Sequence, residues 1–348
     1  MNPSLRESKG AFLDKVLDLL WRQWTALGVS GSAEGNAPWI IDPEALLLAT
    51  CAFGRFEPRL FDEALDCLRA SGWVMNTQRL ATLLRDESWS GASVLGAVAG
   101  FLSTGTQALK WRRLSQHLPR NAKPEGLFSF KDGRPLPVVG DPEPHFAAWG
   151  FRRDPLRLRG YSQPFGPLAA GNLLLQLRAL GGVNVRAEII AYLLTHETGH
   201  PAEIARAAYY HKRSIQNALV EMNHSGVVEI RQAGREKHYW LRAAEWKALL
   251  QRGGSLPQWV CWPPVFSALE QIWLKLNDPQ LEALEPLMLA SELRQLMIKV
   301  RPALERAGLD KALSDDRQYL AESYLPVFLS DVTGLVAGMS FNYEPAIP

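Results

Sequence analysis

Apolar positions in the first third of the chain recur at helical spacing. In "AFLDKVLDLLWRQWTAL" they fall at i, i+3 and i+4, which gathers them on one helical face. Pro43 and Pro58 stand near helix starts in "DPEALLLATCAFG" and "EPRLFDEALDCLRASG", and Asn76 offers an N-cap to "NTQRLATLLRD". The pattern predicts a helical domain over 1–115. The order helix, helix, "SGWVMN", helix also fits a worn helix-turn-helix, an order that ordinary helical domains share.

Residues 116–170 break the period. They are dense in Pro, Gly and basic residues, so helices cannot run through them. "LFSFKDGRPLPVV" suggests a small hairpin turning at Asp132-Gly133. The plain reading is a linker packed across a surface. The alternative is an arm that follows nucleic-acid phosphates through Arg152, Arg153, Arg157 and Arg159. Helical spacing returns over 253–348, with Pro302 inside one stretch. These stripes suit a bundle core or a dimer seam. Trp259, Trp262 and Trp273 suit core packing better than the lining of a ligand pocket.

Residues 171–252 carry the most specific pattern. Ile189, Ile190, Leu193 and Leu194 share one face of a first helix. Pro201 fits the first position of a second, with Ile204, Ala205 and Ala208 inward. A third carries Ile215, Leu219 and Met222, with Gly226 after its end. "VVEIRQAGREKHYWLRA" then reads as a hairpin with a basic tip, and "AAEWKALL" as a closing helix. Three helices and a hairpin follow the order of a winged helix-turn-helix. The stretch "IARAAYYHKRSIQNALVEMNHSGVVEIRQAGREKHYWLRA" resembles the DNA-binding core of ArsR- and MarR-type bacterial transcriptional regulators. Gly226, Val227, Val228 and "HYWLR" fill the family's places before and within the wing. Two positions depart from it. Tyr209 stands where the turn between the second and third helices usually has Gly, and His211 where Ser usually caps the third. An aromatic is poorly suited to positive φ, so the turn is expected to be built differently, or the second helix to run longer.

The resemblance implies that the third helix enters the major groove and that the hairpin meets the backbone or minor groove. The candidate DNA contacts are Tyr210, His211, Lys212, Arg213, Ser214, Gln216 and Asn217 on the helix, and Arg231, Gln232, Arg235 and Lys237 on the wing. Arg and Lys can read guanine, and Gln and Asn can read adenine.

His196-Glu197-Thr198-Gly199-His200 formally matches H-E-x-x-H, whose two imidazoles bind zinc when they lie one turn apart on a single helix. Pro201 disfavours helical backbone at His200. Glu203 and Arg206 stand where the metzincin extension needs Gly and His. Glu221 is a distant third ligand at best, because Leu219 and Met222 tie its helix to the core. The match is better read as the loop between the first two helices, with its histidines on the surface.

Composition narrows the classes. Of 348 residues 47% are hydrophobic, enough for sizeable cores, and the net charge of +2 means that nucleic-acid binding requires a local patch. Cys51, Cys67 and Cys261 are scattered and form no pair with metal-ligand spacing. "GASVLGAVAGFLSTG" is short of the ~20 residues a membrane span needs, and the N-terminal residues do not read as a signal peptide. A cytoplasmic, nucleoid-associated protein with no membrane contact is expected. No Walker A loop, G-x-G-x-x-G or G-x-S-x-G occurs, so no enzymatic activity, cofactor or metal is expected. The sequence thus predicts a mainly α protein, with helical N- and C-terminal domains around a winged helix-turn-helix and its β-hairpin. As a function it predicts a homodimeric regulator on double-stranded DNA. The alternative is an adaptor that holds a partner protein through the same module. A loose similarity to proteins encoded beside nucleotidyltransferase toxins implies an antitoxin-like form of that role.

Overall fold

Prolines and short polar residues start helices where the sequence places them. A computed structural model of the protein describes residues 3–31, 38–105, 107–234, 236–253, 255–315, 318–320 and 323–340, and is mainly helical. The first run comprises α1 (Pro3–Ala26), α2 (Pro43–Phe53), α3 (Pro58–Ser71), α4 (Thr77–Asp86), α5 (Ala92–Leu102) and α6 (Ala108–Ser115). Asp42 caps α2 by accepting from the Ala45 amide at 3.0 Å. Asn76 caps α4 by accepting from the amides of Gln78 and Arg79, both at 3.1 Å. Next come β1 (Glu125–Gly126), α7 (Pro144–Ala147), β2 (Phe151–Arg152), α8 (Leu173–Gly181), α9 (Val185–Thr195), α10 (Pro201–Ala208) and α11 (Lys212–His224). The chain continues through β3 (Glu229–Ala233), β4 (Glu236–Trp240), α12 (Ala243–Leu249), α13 (Trp262–Leu276), α14 (Pro286–Arg306) and α15 (Tyr324–Ser340). Among the described residues no helix is long and apolar enough to cross a membrane.

Helices α2 and α13 bury nearly every residue they contain. Helices buried this completely must be covered on nearly every side, and no single run of this chain can do that. The two ends of the sequence therefore close on each other. Trp24 of α1, Leu47 of α2, Phe61 of α3, Val98 of α5, Phe266 of α13, Leu293 of α14 and Val336 of α15 belong to one buried cluster. The Trp39 indole donates to the Met339 carbonyl at 3.0 Å, across 300 residues. The segments expected as separate helical domains, 1–115 and 253–348, thus share a single core. Trp262 stacks on Phe266 at 5.0 Å and Trp273 packs edge-on to Phe56 at 5.0 Å, both as core residues.

The Pro/Gly-rich stretch lies across this body and lends it Leu127, Phe146, Trp149 and Phe151. The hairpin around Asp132-Gly133 is present in reduced form. A bridge joins Ser129 to Pro135, and the Phe130 amide donates to the Arg134 carbonyl at 2.8 Å. Gly133 supplies the positive φ (86°) of the turn. The proposed phosphate arm requires correction at Arg153, which is buried and grips Asp62 through two bonds of 2.6 and 2.9 Å. Arg152, Arg157 and Arg159 are exposed.

A second core belongs to α8–α12 and the β3–β4 hairpin. Leu174, Ile189, Leu193, Ile204, Ile215, Leu219, Met222, Val228 and Tyr239 fill it, and Ile40 reaches in from the N-terminal body.

Candidate nucleic-acid interface

The H-E-x-x-H residues form the loop between α9 and α10, as expected, and each histidine has a local task. His196 ends α9 in extended backbone (φ −130°, ψ 145°) and stacks on Tyr192 at 3.8 Å. Burial lowers its pKa from the ordinary histidine value. His200 is the N-cap of α10. Its Nδ1 accepts from the Ala202 amide at 3.3 Å, and Glu203 returns a carboxylate to the His200 amide at 2.9 Å. Both histidines are half-buried, against the expectation of surface positions. Gly199 exchanges backbone bonds of 2.8 and 2.9 Å with Tyr239 of β4. A Cβ on Gly199 would come within 2.9 Å of Ile204 and Tyr192, so the loop needs glycine to lie against the hairpin.

The turn between α10 and α11 is built on Tyr209 in the left-handed conformation, at φ 58° and ψ 47°. The expectation that an aromatic would force a different turn is overturned. Its cause is tertiary. The Tyr209 hydroxyl donates to Glu87 at 2.5 Å, Glu87 also receives Arg306 at 2.7 Å, and the ring packs against the main core. Left-handed backbone costs a non-glycine residue about 1–2 kcal/mol, and a hydrogen bond to a charged acceptor returns about 1.5–3 kcal/mol. Tyr209→Gly should therefore destabilise the protein despite its easier backbone, and by more than Tyr209→Phe, which keeps the ring. Urea unfolding of the two variants checks this; a glycine variant more stable than wild type would mean that the ring anchors nothing.

Helix α11 turns Ile215, Ala218, Leu219 and Met222 into the core. His211, Lys212, Arg213, Ser214, Gln216 and Asn217 are exposed on its other side. Tyr210 departs from the expected face. It is half-buried, and its hydroxyl accepts from the Asn76 amide group at 2.6 Å, at the start of α4. His211 takes the N-cap backbone without a side-chain capping bond, and no acidic residue occupies the first turn. Lys212 and Arg213 thus add positive charge at the positive end of the helix dipole, an arrangement that costs stability and attracts anions.

Strands β3 and β4 pair antiparallel, with Arg231 opposite His238 and Gln232 opposite Lys237. Arg231, Gln232 and Lys237 are exposed. Arg235, expected at the wing tip, lies outside the described residues. Of the eleven predicted positions, nine are exposed on α11, its N-cap residue and the β3–β4 hairpin, while Tyr210 is turned inward.

Two features lie where these elements meet the body. The first is a buried ion cluster. Arg178 of α8 binds Glu44 of α2 through bonds of 2.7 and 2.8 Å and Glu188 of α9 at 2.5 Å. Arg79 of α4 binds Asp42 at 2.6 and 2.7 Å and Glu44 at 2.8 Å, and donates to the Ala208 carbonyl at the end of α10 at 2.8 Å. Burial opposes charge throughout. The Arg79 guanidinium nevertheless holds Asp42 below the usual carboxylate range, while burial pushes Glu188 up, since three carboxylates face two guanidiniums.

The second feature is a cleft of about 1930 Å³ between α4 and α6 on one side and the α10–α11 corner on the other. Lys110 of α6 sets its outer wall by donating to the carbonyls of Gly72, Trp73 and Met75 at 2.7, 3.1 and 2.9 Å. Burial brings the Lys110 pKa down to about 8. Trp259 lines the cleft, edge-on to Tyr192 and His196 at 5.5 and 5.9 Å. Sequence reading missed this cleft because its walls lie far apart in the chain and the α4–α6 wall carries no motif. No family model matches the chain, and no similar curated protein or solved structure was found.

Proposed function

We propose that residues 184–245 act as a winged helix-turn-helix and that the protein binds double-stranded DNA as a transcriptional regulator. In this reading α11 lies in the major groove and the β3–β4 hairpin touches the backbone or minor groove. The observation that carries it is the outward side of α11. Lys212, Arg213, Gln216 and Asn217 are exposed together and have no hydrogen-bond partner among the described residues, on a helix whose other side is entirely core. Those side chains match the donors and acceptors of base edges. A homodimer would double the contact surface on a pseudo-palindromic site.

Fluorescence anisotropy of a labelled random duplex and of the DNA upstream of the protein's own gene tests the reading. Wild type should bind and weaken steeply with salt. Arg213→Glu should bind on the order of 10–100-fold more weakly at moderate salt, since it removes one donor and adds a repelled charge. Equal affinity in the two proteins would move the reading surface away from α11.

A second reading has its own observation. An apolar hollow of about 440 Å³ opens between α8, α9, α11 and α12, lined in part by Leu180, Val227 and Trp246, and Leu180 and Val227 are exposed. It favours a protein contact on the module's far side. Absence of duplex binding at low salt would make that contact, with an adaptor or antitoxin-like role, the leading function.

A further inference from the structure

We propose that the cleft between α6 and the α10–α11 corner is a clamp for the phosphate backbone of the duplex that α11 reads, so that the helical body is a second contact surface for the same DNA. The proposal rests on the DNA-binding reading and extends it to a part of the chain that the resemblance does not cover.

Charge is the first argument. Three acidic side chains line the cleft, and each is already engaged. Asp86 holds Arg85, Glu87 holds Arg306 and Tyr209, and Glu203 caps α10. Arg113 from α6, Arg206 from α10 and Lys212 from α11 line the same cleft, are exposed, and have no carboxylate partner among the described residues. The cleft therefore carries uncompensated positive charge on both walls, in a protein whose net charge is only +2. Such a groove focuses its field on an anion.

Size is the second. At about 1930 Å³ the cleft exceeds the roughly 300–1,000 Å³ of a small-molecule pocket. Its lining runs from α6 to the start of α11 and it opens to the surface, which leaves room for a polymer strand.

Position is the third. Lys212 and Ser214 line the cleft while Arg213 does not, and Arg213, Gln216 and Asn217 are exposed. Successive residues on a helix are turned by about 100°, so the cleft residues Lys212 and Ser214 border, one on each side, the sector that carries Arg213, Gln216 and Asn217. A duplex seated on that sector brings its flanking strand to the cleft. Phosphate contacts there position the duplex without reading its sequence.

The test is anisotropy of a labelled duplex across roughly 50–200 mM salt. The proteins compared are wild type, the double variant Arg113→Ala/Arg206→Ala, Arg213→Glu, and Arg112→Ala. Arg112 is exposed on α6 outside the cleft lining and serves as the control. Each lost phosphate contact lowers the log–log salt slope by about 0.9, so the double variant should lose nearly two units of slope and roughly 10–30-fold in affinity at physiological salt. Its preference for one duplex over another should not change, and Arg112→Ala should match wild type. An unchanged slope in the double variant, with Arg213→Glu still weakened, overturns the clamp and leaves the reading of α11 standing. An equal loss in Arg112→Ala also overturns it, because the effect would then be diffuse charge. No binding by wild type at the lowest salt overturns both.

Discussion

Arg178→Ala should lower the stability of the protein by about 3–5 kcal/mol, the cost of removing one partner from a buried ion network. The reason is what it leaves behind. Arg178 is fully buried and bonds Glu44, Glu188 and the Val74 carbonyl at once. Without it, two carboxylates that no water reaches keep a single guanidinium, Arg79, between them and Asp42. The measurement is urea unfolding of wild type, Arg178→Ala, Glu188→Gln and the double variant. The double variant should cost less than the sum of the singles, because it removes both members of one pair. A loss below about 1 kcal/mol in Arg178→Ala would mean that the cluster is solvated and loosely held. On the proposed DNA-binding reading, the cluster also bears on function. Arg178 and Glu188 belong to the α8–α9 side and Glu44 and Arg79 to the body, so the same bonds that stabilise the fold set the angle at which α11 is offered. Weaker duplex binding by Arg178→Ala, at temperatures where the variant remains folded, would follow from that geometry.

This cluster marks the boundary of what the sequence discloses. Helices α9, α10 and α11 and the β3–β4 hairpin were legible because each rests on local chemistry: a period of 3.6 or 2, Pro201 at a helix start, Gly226 after a helix end. The basic residues of α11 were legible for the same reason, since the apolar residues beside them define which side faces out. Arg178 was not legible. In "LLLQLRALGG" it reads as an ordinary surface arginine, and its partner Glu44 stands 134 residues away. Tyr210 and Arg153 failed in the same way. Each sits in a basic stretch, and each is held by one residue from a distant helix, Asn76 and Asp62. Tyr209 shows the converse: a local rule against aromatics at positive φ was correct in sign and outweighed by the Glu87 contact. The single core made from both ends of the chain left a trace that could have been followed. A helix such as α2, whose residues other than Glu44 and Thr50 are nonpolar, cannot be the outer helix of a small separate domain.

Raising the pH from about 5 to about 8 should weaken the fold by about 3 kcal/mol through one residue, Glu270. Its side chain is buried in α13 beside Ser90, which precedes α5. One carboxylate oxygen accepts from the Ser90 amide at 3.2 Å and hydroxyl at 2.5 Å, and the other has no hydrogen-bond partner among the described residues. Burial pushes its pKa up to about 7, from 4.5 in the unfolded chain, and the Ser90 bonds recover only part of that. The folded state therefore holds the proton more tightly than the unfolded state. The stabilisation is complete below about pH 4.5 and disappears as pH rises through 7, falling by about 1.4 kcal/mol for each pH step of one between those two values. Cys51 lies near enough to feel the same charge, but burial holds its thiol protonated throughout this range. Glu188 is also shifted upward by burial and contributes in the same direction. Glu270→Gln separates the two. The amide cannot ionise, so whatever constant cost its Nε2 adds, the slope of unfolding free energy against pH should flatten relative to wild type, and the variant should gain on wild type at about pH 8. Parallel slopes for the two proteins would mean that Glu270 is ionised in the folded state, with a partner for its second oxygen.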